Sequence, residues 1–174
     1  EEVFLHVESV HETGSSGLVV IGQADSGDAP ALNVSGNMLV GLFGDGQVVQ
    51  EGSWTTVTAD TLVLAEKGGD GSYMLNEGSL ITQTTYVGGW AETGGNATFE
   101  NTGGTHFADQ LIIGRGSSGT DQYILSGTGS VYTSALTIGT LEDNATSSSG
   151  TFQQNGGTLE VYGDMILGAL AGAT

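Results

Sequence analysis

The chain has 174 residues, 31 of them Gly and none Cys, with 20 acidic side chains against two basic ones and a formal charge of -18. The lack of Cys excludes disulfides and thiolate metal sites, and a polyanion whose fixed cations are Lys67 and Arg115 has no basic cluster to hold nucleic acid or an anionic lipid surface. No apolar run is long enough for a transmembrane helix, so membrane insertion is not expected, and glycine without a Gly-X-Y period is not collagen.

Residues 1–45 read as irregular N-terminal coils. The chain opens on Glu1-Glu2 and not on a basic and then apolar leader. In the segment Glu1–Val10, Val3, Leu5 and Val7 share one face of a strand that also carries Phe4. Val3, Val7 and Val10 would instead share one face of a helix, but β-branched residues favour the strand. From Val19 onward a short apolar element ending in Gly recurs seven times, closing at Gly22, Gly41, Ala65, Gly88, Gly114, Gly139 and Gly168. The spacings are 19, 24, 23, 26, 25 and 29 residues, which is a period.

A second element precedes it from residue 46 onward, where the repeats become regular: an aromatic, a short polar stretch with Gly, then Thr or Ser before an apolar residue. It begins at Tyr73, Phe99, Tyr123 and Phe152. Apolar residues alternate within both elements, the period of a strand with one buried face, while Gly, Ser and Thr interrupt every window long enough for a helix. One such unit cannot bury its apolar face alone. Stacked in parallel, about seven coils of roughly 24 residues would place Val40, Leu64, Val87, Ile113, Ile138 and Leu167 in one interior column and Val49, Tyr73, Phe99, Tyr123 and Phe152 in another. The closing Gly then sits at a corner needing positive φ, and Ala65 marks a corner of a different kind. The insertion Glu142 to Ser149 lengthens the last repeat to 29 and predicts a looped-out turn.

The segments Gly71 to Leu80, Val87-Gly88, Ala97 to Thr105, Tyr123 to Gly139 and Thr151 to Leu159 carry a resemblance. Their Gly-x-Tyr-x-Leu-x-x-Gly-Ser-Leu, Val-Gly and Thr-Phe-x-x-x-Gly-Gly-Thr pattern resembles the right-handed parallel β-helix repeats of bacterial surface proteins, of the autotransporter-passenger and PEP-CTERM-protein type. The resemblance covers roughly residues 46 to 168. It implies an all-β, right-handed parallel β-solenoid of one domain, 1–174, outside the cell or on its surface, in a structural, adhesive or fibre-like role. It brings no catalytic motif to these residues.

Candidate chemistry is sparse. Five residues before each closing Gly the column runs Asp60, Gln83, Asp109, Ser134 and Gly163, so acids alternate with neutral residues and no carboxylate pair forms for a hydrolase. One Lys and one Arg do not furnish a lyase, so no enzyme is expected. Asp25 to Asp28, Gly44-Asp45-Gly46 and Gly69-Asp70-Gly71 are acidic turns that could take Ca²⁺, but none matches a specific Ca²⁺ repeat or loop, and no cofactor is assigned. Thr56/Thr58 and Thr82/Thr84 could begin a Thr array, but it would stop after two coils, and ordinary β-propensity explains them better. His6, His11 and His106 are scattered, and His106 fills a position that is Leu in other repeats. Asn33, Asn96 and Asn144 sit in Asn-x-Ser/Thr sequons. Trp54 aligns with Leu80 in the interior, leaving Trp90 as the exposed aromatic that could contact a glycan.

The segment after Asp164, Met165 to Thr174, carries no charge and no amphipathic helix, so the last edge is undefended. These features predict head-to-tail stacking into a homopolymer, with Val3, Phe4, Leu5 and Val7 at one end and Met165, Ile166, Leu167 and Leu170 at the other. A surface adhesin or glycan-binding passenger is the alternative.

Overall fold

The computed structural model describes residues 15–22, 29–90, 94–115, 119–141 and 149–170. Val3, Phe4, Leu5, Val7 and the rest of Glu1–Val10, the Asp25–Asp28 turn, Asn144 and most of the insertion lie outside the described residues. Strands β1 (Ser16–Ile21), β3 (Asp45–Gln50), β5 (Gly71–Leu75), β7 (Ala97–Asn101), β9 (Asp121–Leu125) and β11 (Gly150–Gln154) form one sheet in that order. A second sheet contains β2 (Ala31–Val40), β4 (Thr56–Leu64), β6 (Ser79–Val87), β8 (Thr105–Arg115) and β10 (Ser130–Leu141), and β10 pairs with both β12 (Thr158–Val161) and β13 (Met165–Leu170).

All of these pairings are parallel, and each sheet takes one strand from each coil, so the chain is a parallel β-solenoid. Gly46 pairs with Gly71, Gly71 with Ala97, Ala97 with Asp121 and Asp121 with Gly150, so one turn takes 24 to 29 residues. The solenoid makes about five turns, not seven. One excess copy is Val19-Val20-Ile21, which belongs to β1 and pairs with β3 in the other sheet, with Val19 against Val48; the six copies that remain are separated by five turns. That placement also accounts for the short spacing of 19.

The remaining corner copies fall in one register: Val40, Leu64, Val87, Ile113, Ile138 and Leu167 are successive partners. The aromatic column needs one correction, because Val48 and not Val49 pairs with Tyr73. Val-Val offers two apolar residues to a period of two, and Gln50 fixes the choice by reaching inward to accept the Tyr73 hydroxyl at 2.7 Å. Tyr73, Phe99, Tyr123 and Phe152 then stack with centroids 5.1, 4.5 and 5.2 Å apart. Stacked rings inside the solenoid combine area burial with offset-stacking attraction.

The corners explain the Gly pattern. Gly41 has φ 78°, and a Cβ there would run into the Asp70 carbonyl of the next coil. Ala65 keeps the same left-handed turn at φ 61° while fully buried, so the corner it makes is of the same kind as the others. It carries strain of about 1–2 kcal/mol that Gly avoids.

One further expectation fails on register, and the Thr pairs fit β-propensity rather than an array. Val57, not Trp54, pairs with Leu80, and Trp54 is 70 % exposed on the turn before β4. Thr56 and Thr58 pair with Ser79 and Ile81, while Thr82 sits over Ala59 and points inward, so the two Thr pairs do not form an array.

Candidate functional site: the open face of the last coil

Interior columns continue through the molecule and emerge at β11, β12 and β13, which pair on one side only among the described residues. Met165 and Leu167 are 54 % and 66 % exposed, whereas Leu136, the partner of Met165, is fully buried. Phe152, Leu159 and Val161 are half-buried over fully or almost fully buried Tyr123, Val131 and Thr133. Alternation directs these five side chains along the columns that form the core, so the face is a cross-section of that core. Ile166 faces outward beside it, and Leu170 continues β13. Of the residues expected at this end, Met165 and Leu167 line the face, while Ile166 points away from it. The face adds Phe152, which the repeat already placed in an interior column, together with Leu159, the apolar residue of the second element, and Val161, which the repeat did not single out.

The first coil is the opposite edge. Strands β1 and β2 each pair on one side among the described residues, with Leu18 and Val20 exposed and Val19, Val34 and Met38 half-buried. Neither β1 nor β2 carries an ionised side chain, and the last coil's strands carry one, Glu160. Charge is the usual defence of a sheet edge.

Other candidates have structural roles. The Trp90 backbone N–H donates to Glu66 Oε2 at 2.7 Å, and its ring meets Tyr86 edge-on at 6.0 Å, so the side chain closes over the second sheet and leaves only part of itself, 37 %, to solvent. Glu66 is almost fully buried there, with Oε1 unpaired. Asp70 Oδ1 accepts from the Asn96 backbone and side-chain amides at 2.7 and 3.0 Å, tying two coils together. Gln83 donates to Asp60 across one coil step, and stands between Asp60 and Asp109 as the spacing predicts. Among the described residues no three His, Asp or Glu side chains converge as a metal site.

His106 does occupy the Leu position, between Leu80 and Val131, and is fully buried. Its Nε2 lies 3.1 Å from Thr85 Oγ1 and its Nδ1 3.1 Å from the Tyr123 hydroxyl. Burial lowers its pKa to about 3 and raises those of Tyr73 and Tyr123 well above the ordinary phenol value. On the surface, Phe107 and Tyr132 stack at 5.3 Å, and the Tyr162 hydroxyl donates to Glu160, which raises the Tyr162 pKa.

The fold defines an all-β parallel solenoid whose first and last described coils each leave apolar residues exposed among the described residues. Compared with known proteins, the chain matches no family model, no curated protein and no solved structure.

Proposed function

We propose that this chain is a structural subunit of a fibre outside the cell or on its surface, joined head to tail through the ends of its solenoid. The carrying observation is the exposure of Met165 and Leu167 at the end of columns whose other members are the core. Fully covering a side chain of this size contributes about 1.5–3 kcal/mol. A second copy is a fitting cover because its first coil offers parallel strands of the same polarity and little charge. Elsewhere the charge of -18 opposes contact between copies. The reading assigns no catalytic step and no nucleic-acid or lipid partner, and it extends the resemblance to surface-protein repeats.

Electron microscopy and light scattering of the full chain over a concentration series test it. Polymers that dissociate in Leu167→Asp support the reading, and a concentration-independent monomer overturns it. A glycan-binding surface is the second reading, favoured by Trp54 at 70 % exposure and by the partly exposed Trp90. Loss of binding to a glycan array in Trp54→Ala or Trp90→Ala would support it.

A further inference from the structure

Resting on the head-to-tail reading above, we infer that one copy's last coil docks on the next copy's first coil in a single register, set by a corner that these two coils share. In the second sheet, the column Val34, Ala59, Thr82, Ala108, Thr133, Val161 is followed by the column Met38, Leu62, Thr85, Leu111, Leu136, Met165. Each of the four inner coils joins them through two residues: Asp60-Thr61, Gln83-Thr84, Asp109-Gln110 and Ser134-Ala135. The first coil uses three, Ser35-Gly36-Asn37, where its register with β4 shifts. The last coil also uses three, Tyr162-Gly163-Asp164.

A bulge against a flat neighbour interrupts the ladder locally, as between β2 and β4, whereas two bulges of equal length at one position can nest. Continuing the internal register across the junction puts Phe152 over Val19, Leu159 over Leu32, Val161 over Val34, Met165 over Met38 and Leu167 over Val40. These five inward pairs are apolar, and the sixth, Gln154 over Ile21, sets an amide on the column that already holds Gln50 and Asn101. The positive-φ corners Gly168 and Gly41 also coincide. Charge agrees with the same register. Glu160 and Asp164, the carboxylates of the last coil, face the amides of Asn33 and Asn37. An Asp–Asn step of this kind already joins two coils at Asp70 and Asn96, at 3.0 Å. A slip of one residue turns the inward set outward, and a slip of two brings the three-residue corner against strand.

The test uses the full chain, which has no native Cys. In the proposed register Thr151 lies over Leu18, at the coil spacing of about 4.8 Å, within disulfide reach, while Val20 is roughly 8 Å from Thr151. Copies with Leu18→Cys mixed with copies with Thr151→Cys are expected to cross-link about tenfold more than the Val20→Cys and Thr151→Cys mixture. Equal yields, or a preference for the Val20 pair, overturn the register. Polymers seen by light scattering with no in-register cross-link leave the stacking reading standing and sink this one, while monomers sink both. Deleting Gly36 gives the first coil the two-residue corner of its neighbours and is expected to lower cross-linking. Deleting Gly163 as well in the facing copy should restore it. A rise on deleting Gly36 alone would mean that the bulge merely blunts an edge, and would refute the matched corner.

Discussion

Replacing His106 by Leu should remove a specific part of the protein's sensitivity to acid. In the native state the ring lies beside the stacked pair of Phe99 and Tyr123, with centroids at 4.9 and 5.9 Å, and both nitrogens are held by hydroxyl groups. Burial depresses its pKa from 6.5 to about 3, so in weak acid the native ring stays neutral while the unfolded chain takes up a proton. Protonation therefore favours unfolding: the stability contributed by the neutral ring is complete above pH 6.5 and is lost as pH falls towards 3. Each unit of pH in that window removes on the order of 1 kcal/mol, so by pH 4.5 the loss is roughly 2–3 kcal/mol. The assay is urea denaturation followed by circular dichroism at pH 7.5 and 4.5, in the wild type and in His106→Leu. Both carry the same carboxylates, so the difference between their pH dependences isolates the imidazole. Leu is the natural replacement because Leu80 and Leu159 occupy the same column. An identical loss of stability in both proteins would refute the buried neutral ring.

Three further outcomes follow from the core. Tyr73→Phe leaves Gln50 Oε1 without its buried donor and should lower stability by about 1–3 kcal/mol in the same urea assay. An absorbance titration at alkaline pH should leave Tyr73 and Tyr123 un-ionised in the folded chain after the ordinary phenol range is passed. Their raised pKa values mean that stability falls as pH rises above about 10, where the unfolded phenols ionise. Gly41→Ala should cost about 3 kcal/mol from left-handed strain and collision with the Asp70 carbonyl, whereas Ala65→Gly should lie within about 1 kcal/mol of neutral, as relief of strain offsets the lost buried methyl. Thermal unfolding distinguishes the two.

The corner column was legible because alternation, a closing small residue and spacing near one turn coincide at its copies, and the last four add an aromatic element in phase. Where fewer coincide the reading slipped. Val19-Val20-Ile21 meets the local pattern but lacks the second element, and only pairing with Val48 shows that it belongs to the other sheet. Val48 and Val49 are equivalent to a pattern of period two, and the choice depends on the buried hydrogen bond between Gln50 and Tyr73. Trp54 precedes β4 by two residues, so counting from its hydrophobicity shifted the register that Val57 in fact sets. The last face was partly legible, since Met165 to Leu167 lack charge. The matched corners were not, because one extra residue in a loop of degenerate spacing carries no signal until its neighbours are paired.

The parallel pairing of every strand has a consequence for growth. A stack built this way has a direction, and its first and last described coils present different chemistry: Phe152, Met165 and Leu167 in the last, Val19, Leu32 and Met38 in the first. Polymers assembled from it would inherit that polarity, with unequal elongation rates at the two tips, and a blocker shaped to fit one tip would halt extension there while the other kept adding subunits.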